Sequence, residues 1–164
     1  MKQVKILKAD IKNSEEIIKK YKLQKHPEGG WYREIIRSEN LIQFNGKKRN
    51  AVTSIYFLLT KNEISRWHKV DADEIWIFLD GDSLELHKAD LKKKRYSVEE
   101  LNPENRQVLV NTGVWQAARS KGNFSFAACV VAPGFEFEGF KLLDNNAPES
   151  EKILKLNKKV KDFI

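Results

Sequence analysis

Hydrophobic and polar residues alternate along much of this chain, most clearly between residues 67 and 81. Glu74, Trp76 and Phe78 occupy every second position there. In an extended strand these three side chains point to one face. The pattern therefore predicts a strand whose inner face is aromatic and carries a carboxylate. Turn-forming residues at 80–82 then predict the tip of a hairpin.

Further short strands are predicted in the rest of the chain by apolar and β-branched runs between glycine, proline and asparagine. They fall at residues 31–38, 51–60, 84–87, 107–110, 114–118, 124–132 and 136–143. Two segments lack such a pattern: residues 41–50 predict a polar loop that turns at Gly46, and residues 92–106 predict an irregular excursion. Many short strands at even spacing indicate an all-β barrel or jelly roll.

Helical spacing is confined to the two ends of the chain. Asn13 is a predicted N-cap of a short helix with an apolar stripe on residues 17–21. Ser150 is a plausible N-cap of a second helix, in which apolar residues recur at steps of three and four: Ile153, Leu156, Val160 and Phe163.

Length and cysteine content predict a single domain over residues 1–164 that folds without disulfides. The one cysteine, Cys129, lies among small apolar residues, so we expect an inert buried thiol. The first five residues lack the apolar region of a secretory signal, and no apolar run is long enough to span a bilayer. We therefore expect a cytoplasmic protein with no membrane partner.

The net charge of +7 raises the possibility of a nucleic-acid partner. Much of the excess lies in residues 92–95 and in lysines of residues 152–161, with acids nearby and few aromatic residues between them. A solvated loop and a solvated helix face account for this distribution. We therefore expect no nucleic-acid partner.

His68, a glutamate six positions later (Glu74) and a glycine seven beyond that resemble the first motif of the cupin superfamily. That motif has a second histidine where this chain has Val70. The second cupin motif resembles residues 111–116, which lack its proline and end in Gln116 in place of its histidine.

A longer resemblance runs through residues 26–34, 67–68, 73–76, 113–118 and 131–135. These segments are similar to the fifth cupin family, a domain of unknown function (985). The resemblance implies a cupin double-stranded β-helix, or jelly-roll barrel, with short N- and C-terminal helices. It also implies a cavity inside the barrel and a homodimer.

His68 is the candidate general base, because the pKa of an imidazole lies near the working pH, and Glu74 is the carboxylate that would orient it. The resemblance implies that both meet Gln116 inside the barrel. A histidine satisfied by hydrogen bonds in a polar core is the alternative. The other two histidines, His26 and His87, lie beside turns or charged residues, and we expect them to be exposed.

Four other side chains are candidates for ligand binding besides Gln116. Trp76 shares the inner face of its strand and is suited to stacking on a sugar-like ring, and Arg33 is suited to clamping an anionic group. The resemblance to cupin-fold deoxysugar epimerases implies a tyrosine acid opposite the histidine base. Tyr32 or Tyr56 would have to supply it.

A metal centre is not the preferred interpretation, and the cofactor is left open. Cupin metal sites use imidazoles and a carboxylate. This chain offers only His68 and Glu74, because Val70 donates nothing and the Gln116 amide is a poor ligand. Any divalent metal would have to use His68, Glu74 and Gln116.

Three functions therefore stay open. The first is an isomerase or epimerase acting beside a carbonyl, with His68 as base. The second is a non-catalytic protein that binds a small polar or anionic, sugar-like metabolite. The third is a metal-dependent cupin enzyme. The sequence does not decide between catalysis and binding.

Overall fold

The computed structural model describes residues 13–163. Within this span the chain forms thirteen short strands: β1 Gln24–Lys25, β2 Trp31–Arg37, β3 Leu41–Phe44, β4 Lys47–Asn50, β5 Thr53–Thr60, β6 Ile64–Lys69, β7 Asp73–Gly81, β8 Leu84–Asp90, β9 Arg95–Leu101, β10 Gln107–Val110, β11 Trp115–Ser120, β12 Phe124–Ala132 and β13 Lys141–Leu142. The helices are α1 Ser14–Tyr21, α2 Pro148–Leu156 and two 3-10 helices, Phe137–Gly139 and Lys158–Phe163. None of the helices in the described span is long and apolar enough to cross a membrane.

Two antiparallel sheets form the barrel. The first sheet has the strand order β1-β2-β5-β12-β7-β10, and the second has the order β13-β6-β11-β8-β9. Side chains of both sheets share one buried cluster, in which Phe57 and Trp76 of the first sheet meet Leu84 and Leu86 of the second. Burying each such side chain stabilises the fold by about 2 kcal/mol. This arrangement confirms the predicted all-β jelly roll.

The predicted hairpin at residues 80–82 is wrong. Strand β7 pairs with β10 and β12, whereas β8 pairs with β9 and β11, so the turn carries the chain from one sheet to the other. Gly81 has a φ of +90°, and a Cβ there would lie 2.5 Å from the carbonyl oxygen of Phe124. Turn residues thus identify a reversal, but they do not identify the strand that pairs after it.

Three further segments differ in secondary structure from what the sequence predicted. Residues 41–50 form a hairpin of β3 and β4, with Asn45 and Gly46 both at positive φ in its turn, so the turn at Gly46 is confirmed but the polar loop is not. The segment 92–106 contains β9. The predicted strand at 136–143 is a 3-10 helix followed by the two-residue β13. Apolar residues in β3 and β9, namely Leu41, Ile42 and Val98, are exposed, so these strands do not show apolar inner and polar outer positions in alternation.

The helices cover opposite sides of the barrel. Asn13 caps α1 as predicted, because its side chain accepts a hydrogen bond of 2.9 Å from the backbone N–H of Glu16. The second helix begins at Pro148, a residue suited to the first turn, so Ser150 lies inside α2 and does not cap it. After α2 the chain continues as a separate 3-10 helix. Both C-terminal segments pack on Trp67 and Trp115 of the second sheet.

Candidate functional site

A cavity of about 310 Å³ lies inside the barrel. Its walls come from β2, β5, β7 and β12 of the first sheet, from β6 of the second, and from the segments 24–28 and 135–140. This volume and the presence of buried polar groups are typical of small-molecule sites.

Among the acid–base side chains that line this cavity, four are largely buried: His26, Glu28, His68 and Glu74. The Oε2 atom of Glu28 lies 3.2 Å from His68 Nε2 and 3.4 Å from His26 Nδ1. The other oxygen, Oε1, accepts a hydrogen bond of 2.7 Å from the Ser65 hydroxyl. Glu28 is therefore the centre of the cluster, with an imidazole on each side.

The hydrogen-bond partners assign the tautomers of the two histidines. His68 Nδ1 lies 2.8 Å from the carbonyl oxygen of Arg66, which only accepts, so Nδ1 carries the hydrogen and Nε2 turns its lone pair towards Glu28. His26 Nδ1 accepts from the backbone N–H of Glu28 at 3.3 Å, so its hydrogen is on Nε2.

Burial shifts the pKa of each group towards its neutral form. Desolvation raises the pKa of Glu28 to about 8, although the Ser65 hydrogen bond and the charge of Arg66 oppose this shift. Desolvation, together with the nearby His68, lowers the pKa of His26 to about 3. Burial also lowers the pKa of His68, against the effect of Glu74. At neutral pH Glu28 is thus a carboxylic acid that donates from Oε2 to His68 Nε2.

The turn before β2 positions Glu28. The backbone N–H of Gly29 donates to the His26 carbonyl at 3.0 Å, and the Glu28 carbonyl accepts from the backbone N–H of Arg66 at 2.9 Å. Gly29 has a φ of +113°, and a Cβ there would lie only 2.1 Å from the Ile64 carbonyl oxygen. Only glycine allows this close approach of the turn to β6.

Glu74 is held by a different set of partners. The Gln116 side-chain amide donates to Glu74 Oε2, and its oxygen accepts from Trp76 Nε1 at 2.9 Å. Burial raises the pKa of Glu74, although His68 and a hydrogen bond from Cys129 oppose the shift. Gln116 therefore fixes two lining side chains and is not part of the cavity wall. The predicted orientation of His68 by Glu74 is replaced by contacts of His68 with Glu28 and the Arg66 carbonyl.

Two of the residues expected to bind ligand lie outside the cavity. Arg33 and Tyr56 are paired across β2 and β5, and both point away from the interior. On the outer side, Arg33 donates to the Tyr21 carbonyl at 3.1 Å. Their neighbours Tyr32 and Phe57 face inward and line the cavity. Side chains alternate between the two faces over the first residues of β2 and along β5, which accounts for the difference.

The other two histidines, His26 and His87, were expected to be exposed, and this prediction is wrong. The side chain of His26 is 6% exposed, because the turn buries it against the barrel. His87 is 7% exposed and lies on the outer side of the second sheet, covered by Phe163 with 4.5 Å between their ring centroids. The sequence signal for His26 and Glu28 was the segment 26–34, which contributed to the family resemblance but assigned neither residue to the site.

The residues considered for a metal do not fit a cupin metal centre. The Gln116 amide is already committed to Glu74 and Trp76. Among residues 13–163, no three histidine, cysteine, aspartate or glutamate side chains are arranged to hold a metal ion. The histidine and glutamate side chains in the cavity are arranged to share protons with one another. They are not arranged around a common point as metal ligands would be.

Aromatic rings form much of the remaining wall. Phe57 and Trp76 meet edge to face at 5.4 Å in the interior. Phe135, Phe137 and Phe140 form a second group, with ring centroids between 5.1 and 6.2 Å apart. An ion-paired cluster of Arg37, Glu34 and Glu136 also lines the cavity, and each of these residues remains partly exposed.

A double-stranded β-helix with histidine and glutamate inside the barrel defines a cupin-type protein. The family model described as Cupin superfamily (DUF985) matches residues 15–143. The chain therefore belongs to this cupin family. No curated protein sequence matches it.

Solved structures support this assignment. A protein from Shewanella oneidensis is 32% identical, with a TM-score of 0.78 over 93% of this chain and 94% of that one. A hypothetical protein from Leishmania major is 26% identical, with a TM-score of 0.78 over 92% and 96%. A dTDP sugar isomerase from Desulfovibrio desulfuricans is similar in fold alone, at 12% identity and a TM-score of 0.51 over 71% of this chain and 86% of that one.

Proposed function

We propose that the cavity binds a small polar, sugar-like metabolite and that the Glu28–His68 pair transfers a proton beside its carbonyl group, as in an isomerase or epimerase. The contact of 3.2 Å between Glu28 Oε2 and His68 Nε2 is the observation that carries this proposal. A general acid or base works best when its pKa lies near the operating pH. Glu28, with a pKa of about 8, meets this condition.

The two members of the pair have distinct roles. The Arg66 carbonyl holds His68 in the tautomer that has its lone pair on Nε2, which makes His68 the base. Glu28 contacts this nitrogen, and both side chains line the cavity. When Glu28 takes a proton from the carbon next to the carbonyl group, the proton that Glu28 already carries passes from Oε2 to His68 Nε2, and the reverse transfer returns a proton to the ligand.

Tyr32 is the better placed of the two tyrosines proposed as the acid, because it lines the cavity and Tyr56 does not. The Trp76 ring is suited to packing against the body of a sugar-like ligand. Glu74, fixed by Gln116, supplies a second carboxyl group for hydrogen bonds to hydroxyl groups. The fold is similar to that of a dTDP sugar isomerase, which supports a sugar-like ligand as part of this proposal.

Solvent deuterium exchange tests the reaction. The protein is incubated in D₂O with a panel of keto sugars, including 4-keto-deoxysugar nucleotides, and mass spectrometry follows deuterium at the carbon beside the carbonyl group. We expect exchange into at least one compound, reduced by about 100-fold or more in His68→Asn. Tyr56→Phe, altered outside the cavity, is the matched control and should exchange like the parent. Equal exchange in the parent and in folded His68→Asn would exclude His68 as the base.

A non-catalytic binding protein is the second candidate. Both nitrogens of His68 are engaged, and Glu28 has partners on both oxygens, so the cluster is satisfied without a substrate. A thermal-shift screen of metabolites distinguishes the two functions, because a ligand that selects the folded state raises its melting temperature. A ligand recovered unchanged, with no deuterium exchange, supports binding alone.

The proposal includes a cytoplasmic homodimer, as the family resemblance implies. Ile75 and Leu109 are paired on the outer face of the first sheet, and with Leu79 they form an exposed apolar strip. Such a strip is suited to contact with a second copy. Sedimentation velocity should give a dimer that Leu109→Lys converts to monomer. A monomer at micromolar concentrations of the parent protein contradicts the dimer.

A further inference from the structure

We propose that the ligand of this cavity is a small organic cation, an ammonium compound that also carries a hydroxyl or carbonyl group. This inference rests on the proposed function, because it specifies the charge of the metabolite that the barrel binds. It departs from the anionic ligand that the sequence left open.

The charges on the cavity wall favour a cation. Four glutamates line the cavity, at positions 28, 34, 74 and 136, whereas Arg37 is the single arginine or lysine among the described lining residues. The Arg37 guanidinium lies 2.8 Å from a carboxylate oxygen of Glu34 and 2.8 Å from one of Glu136. It is therefore already neutralised. Glu28 and Glu74 have no such cationic partner on the wall.

Aromatic rings surround these carboxyl groups. Phe57 and Trp76 lie at the buried wall, and Phe140 lies 5.5 Å from the His68 ring. Phe137, which is 56% exposed, continues the aromatic wall towards solvent. The face of an aromatic ring attracts a cation within about 6 Å of its centroid, and the attraction is stronger where water is excluded. An ammonium group entering this cavity therefore meets rings and carboxyl oxygens together.

The titration behaviour of the wall penalises an anion more than a cation. A cation needs an ionised carboxylate, and Glu28, with a pKa of about 8, is ionised in about one molecule in ten at pH 7. An imidazolium would favour an anion, but burial lowers the pKa of both His26 and His68, so the wall offers an anion no charged imidazole at pH 7.

His26 explains why the cation should also carry an oxygen acceptor. Its Nδ1 atom is occupied by the backbone N–H of Glu28, which leaves a hydrogen on Nε2. This N–H has no acceptor among residues 13–163. The Nε2 atom is not among the fully buried polar atoms, so it is accessible to a ligand in the cavity, and a hydroxyl or carbonyl oxygen of the ligand would accept its hydrogen bond.

Three probes of one shape and different charge test the inference. Choline is the cation, 3,3-dimethylbutan-1-ol is its uncharged isostere, and 3,3-dimethylbutanoate is the related anion. Calorimetric titration at pH 7 should show choline binding at least about tenfold more tightly than the alcohol, with no binding of the anion. Titrations in two buffers of different ionisation enthalpy should show proton release on choline binding, because Glu28 must ionise.

Variants locate the effect in the cavity. Glu28→Gln should abolish the proton release and the preference for choline over the alcohol. Phe140→Leu should weaken choline binding by about 3- to 30-fold while the alcohol is affected less than twofold. Glu104→Gln, which removes an exposed carboxylate elsewhere, is the matched control and should leave all three titrations unchanged.

The pH profile of the unmodified protein gives a second readout. Choline affinity should rise by up to tenfold per pH unit from pH 6 to 7, because ionisation of Glu28 becomes less costly. The groups that face Glu28 are His26, His68 and Ser65, with the charge of Arg66 and the carboxyl of Glu74 nearby. Burial lowers the pKa of both histidines, and loss of a proton from either one as pH rises would also favour a cation, so both leave the sign of the profile unchanged.

The outcomes separate the charge of the ligand from the proposed function. If the anion binds as tightly as choline, or if choline binds without proton release, the inference is overturned while a functional cavity remains. If none of the probes binds, the ammonium ligand is likewise excluded. Deuterium exchange into a keto sugar would then still support the proposed function, and its absence would remove that as well.

Discussion

The protein contains two clusters that pair a histidine with a glutamate, and their chemistry differs. In the barrel, Glu28 lies 3.2 Å from His68, is fully buried and has a pKa raised to about 8. On the outer side of the second sheet, Glu85 lies 2.7 Å from His87, and the pKa of Glu85 is lowered. The same two residue types therefore give a protonated acid in one place and a carboxylate in the other.

Solvation and neighbouring cations cause this difference. Glu85 is partly exposed and also accepts from Arg119 Nε at 2.9 Å, which stabilises its charge. His87 bonds to the Tyr96 hydroxyl on its other nitrogen, and Phe163 covers its ring. The outer cluster thus fastens the C-terminal segment to the barrel. In the inner cluster, desolvation leaves a proton available for chemistry.

Replacing one glutamate by glutamine in each cluster should give the largest difference in deuterium exchange. Glu28→Gln should reduce deuterium exchange into a responsive keto sugar by about 100-fold or more, because an amide side chain cannot pass a proton between the ligand and His68. Glu85→Gln should change exchange less than twofold. A similar loss in both variants, measured by mass spectrometry on folded protein, would contradict the distinction between the clusters.

The backbone that holds the inner cluster should be the next most sensitive feature. Gly29→Ala places a Cβ 2.1 Å from the Ile64 carbonyl oxygen at a positive φ and should lower the free energy of unfolding by about 3 kcal/mol. Gly113→Ala also has a positive φ but meets nothing within 4 Å, so about 1 kcal/mol is expected. Urea denaturation measures both. Equal losses would contradict close packing of the turn.

The dependence of stability on pH should have opposite signs for the two clusters. The folded pKa of Glu28 is raised, so its contribution is present at low pH and is lost as pH rises towards 8, by about 2 kcal/mol between pH 6.5 and 8. The folded pKa of Glu85 is lowered, so its contribution is lost as pH falls. His26, with its lowered pKa, favours the folded state as pH rises to 6.5.

Variants again separate these contributions. Glu28→Gln should flatten the decline of stability above pH 6.5, and Glu85→Gln should flatten the decline on the acid side. Thermal unfolding at closely spaced pH values is the measurement. An unchanged alkaline decline in Glu28→Gln would assign that decline to other groups.

The smallest expected effect is in the outer cluster. Tyr96→Phe removes the hydroxyl that bonds to His87 and should cost about 1 kcal/mol of stability. Ligand binding in the barrel should not change, because Tyr96 lies outside the cavity. A loss of ligand affinity comparable to that of a cavity variant would show that the two clusters are coupled.

Local patterns in the sequence predicted local features well. The strand at 124–132 has the predicted bounds, and Asn13 caps its helix, because alternation and capping depend on neighbouring residues. The pairing of β7 was not predictable, since its partner strands are chosen by packing across the whole barrel. Because neighbouring side chains of a strand point to opposite faces, Tyr32 and Arg33 could not both face the cavity. Alternation alone would therefore have excluded one of these two candidates.

The candidate site was predictable only in part. His68, Glu74, Trp76 and Tyr32 do line the cavity. Glu28 was missed because residues 26–34 contributed to the family resemblance but gave no role for Glu28 in the site. Its partners Ser65 and His68 are far away in sequence, and they reach it only when β6 packs against that turn. The charge state of a carboxyl group depends on such packing, so composition alone does not determine it.

The protonation of Glu28 is the most direct test of the central claim. Carbon-13 NMR of the side-chain carboxyl groups in glutamate-labelled protein follows each titration, and Glu28→Gln assigns the resonance. A carboxyl group that titrates near pH 8 is the predicted result. A midpoint below about 5, as in an ordinary glutamate, would show that Glu28 is ionised at neutral pH and would contradict the proton-sharing pair.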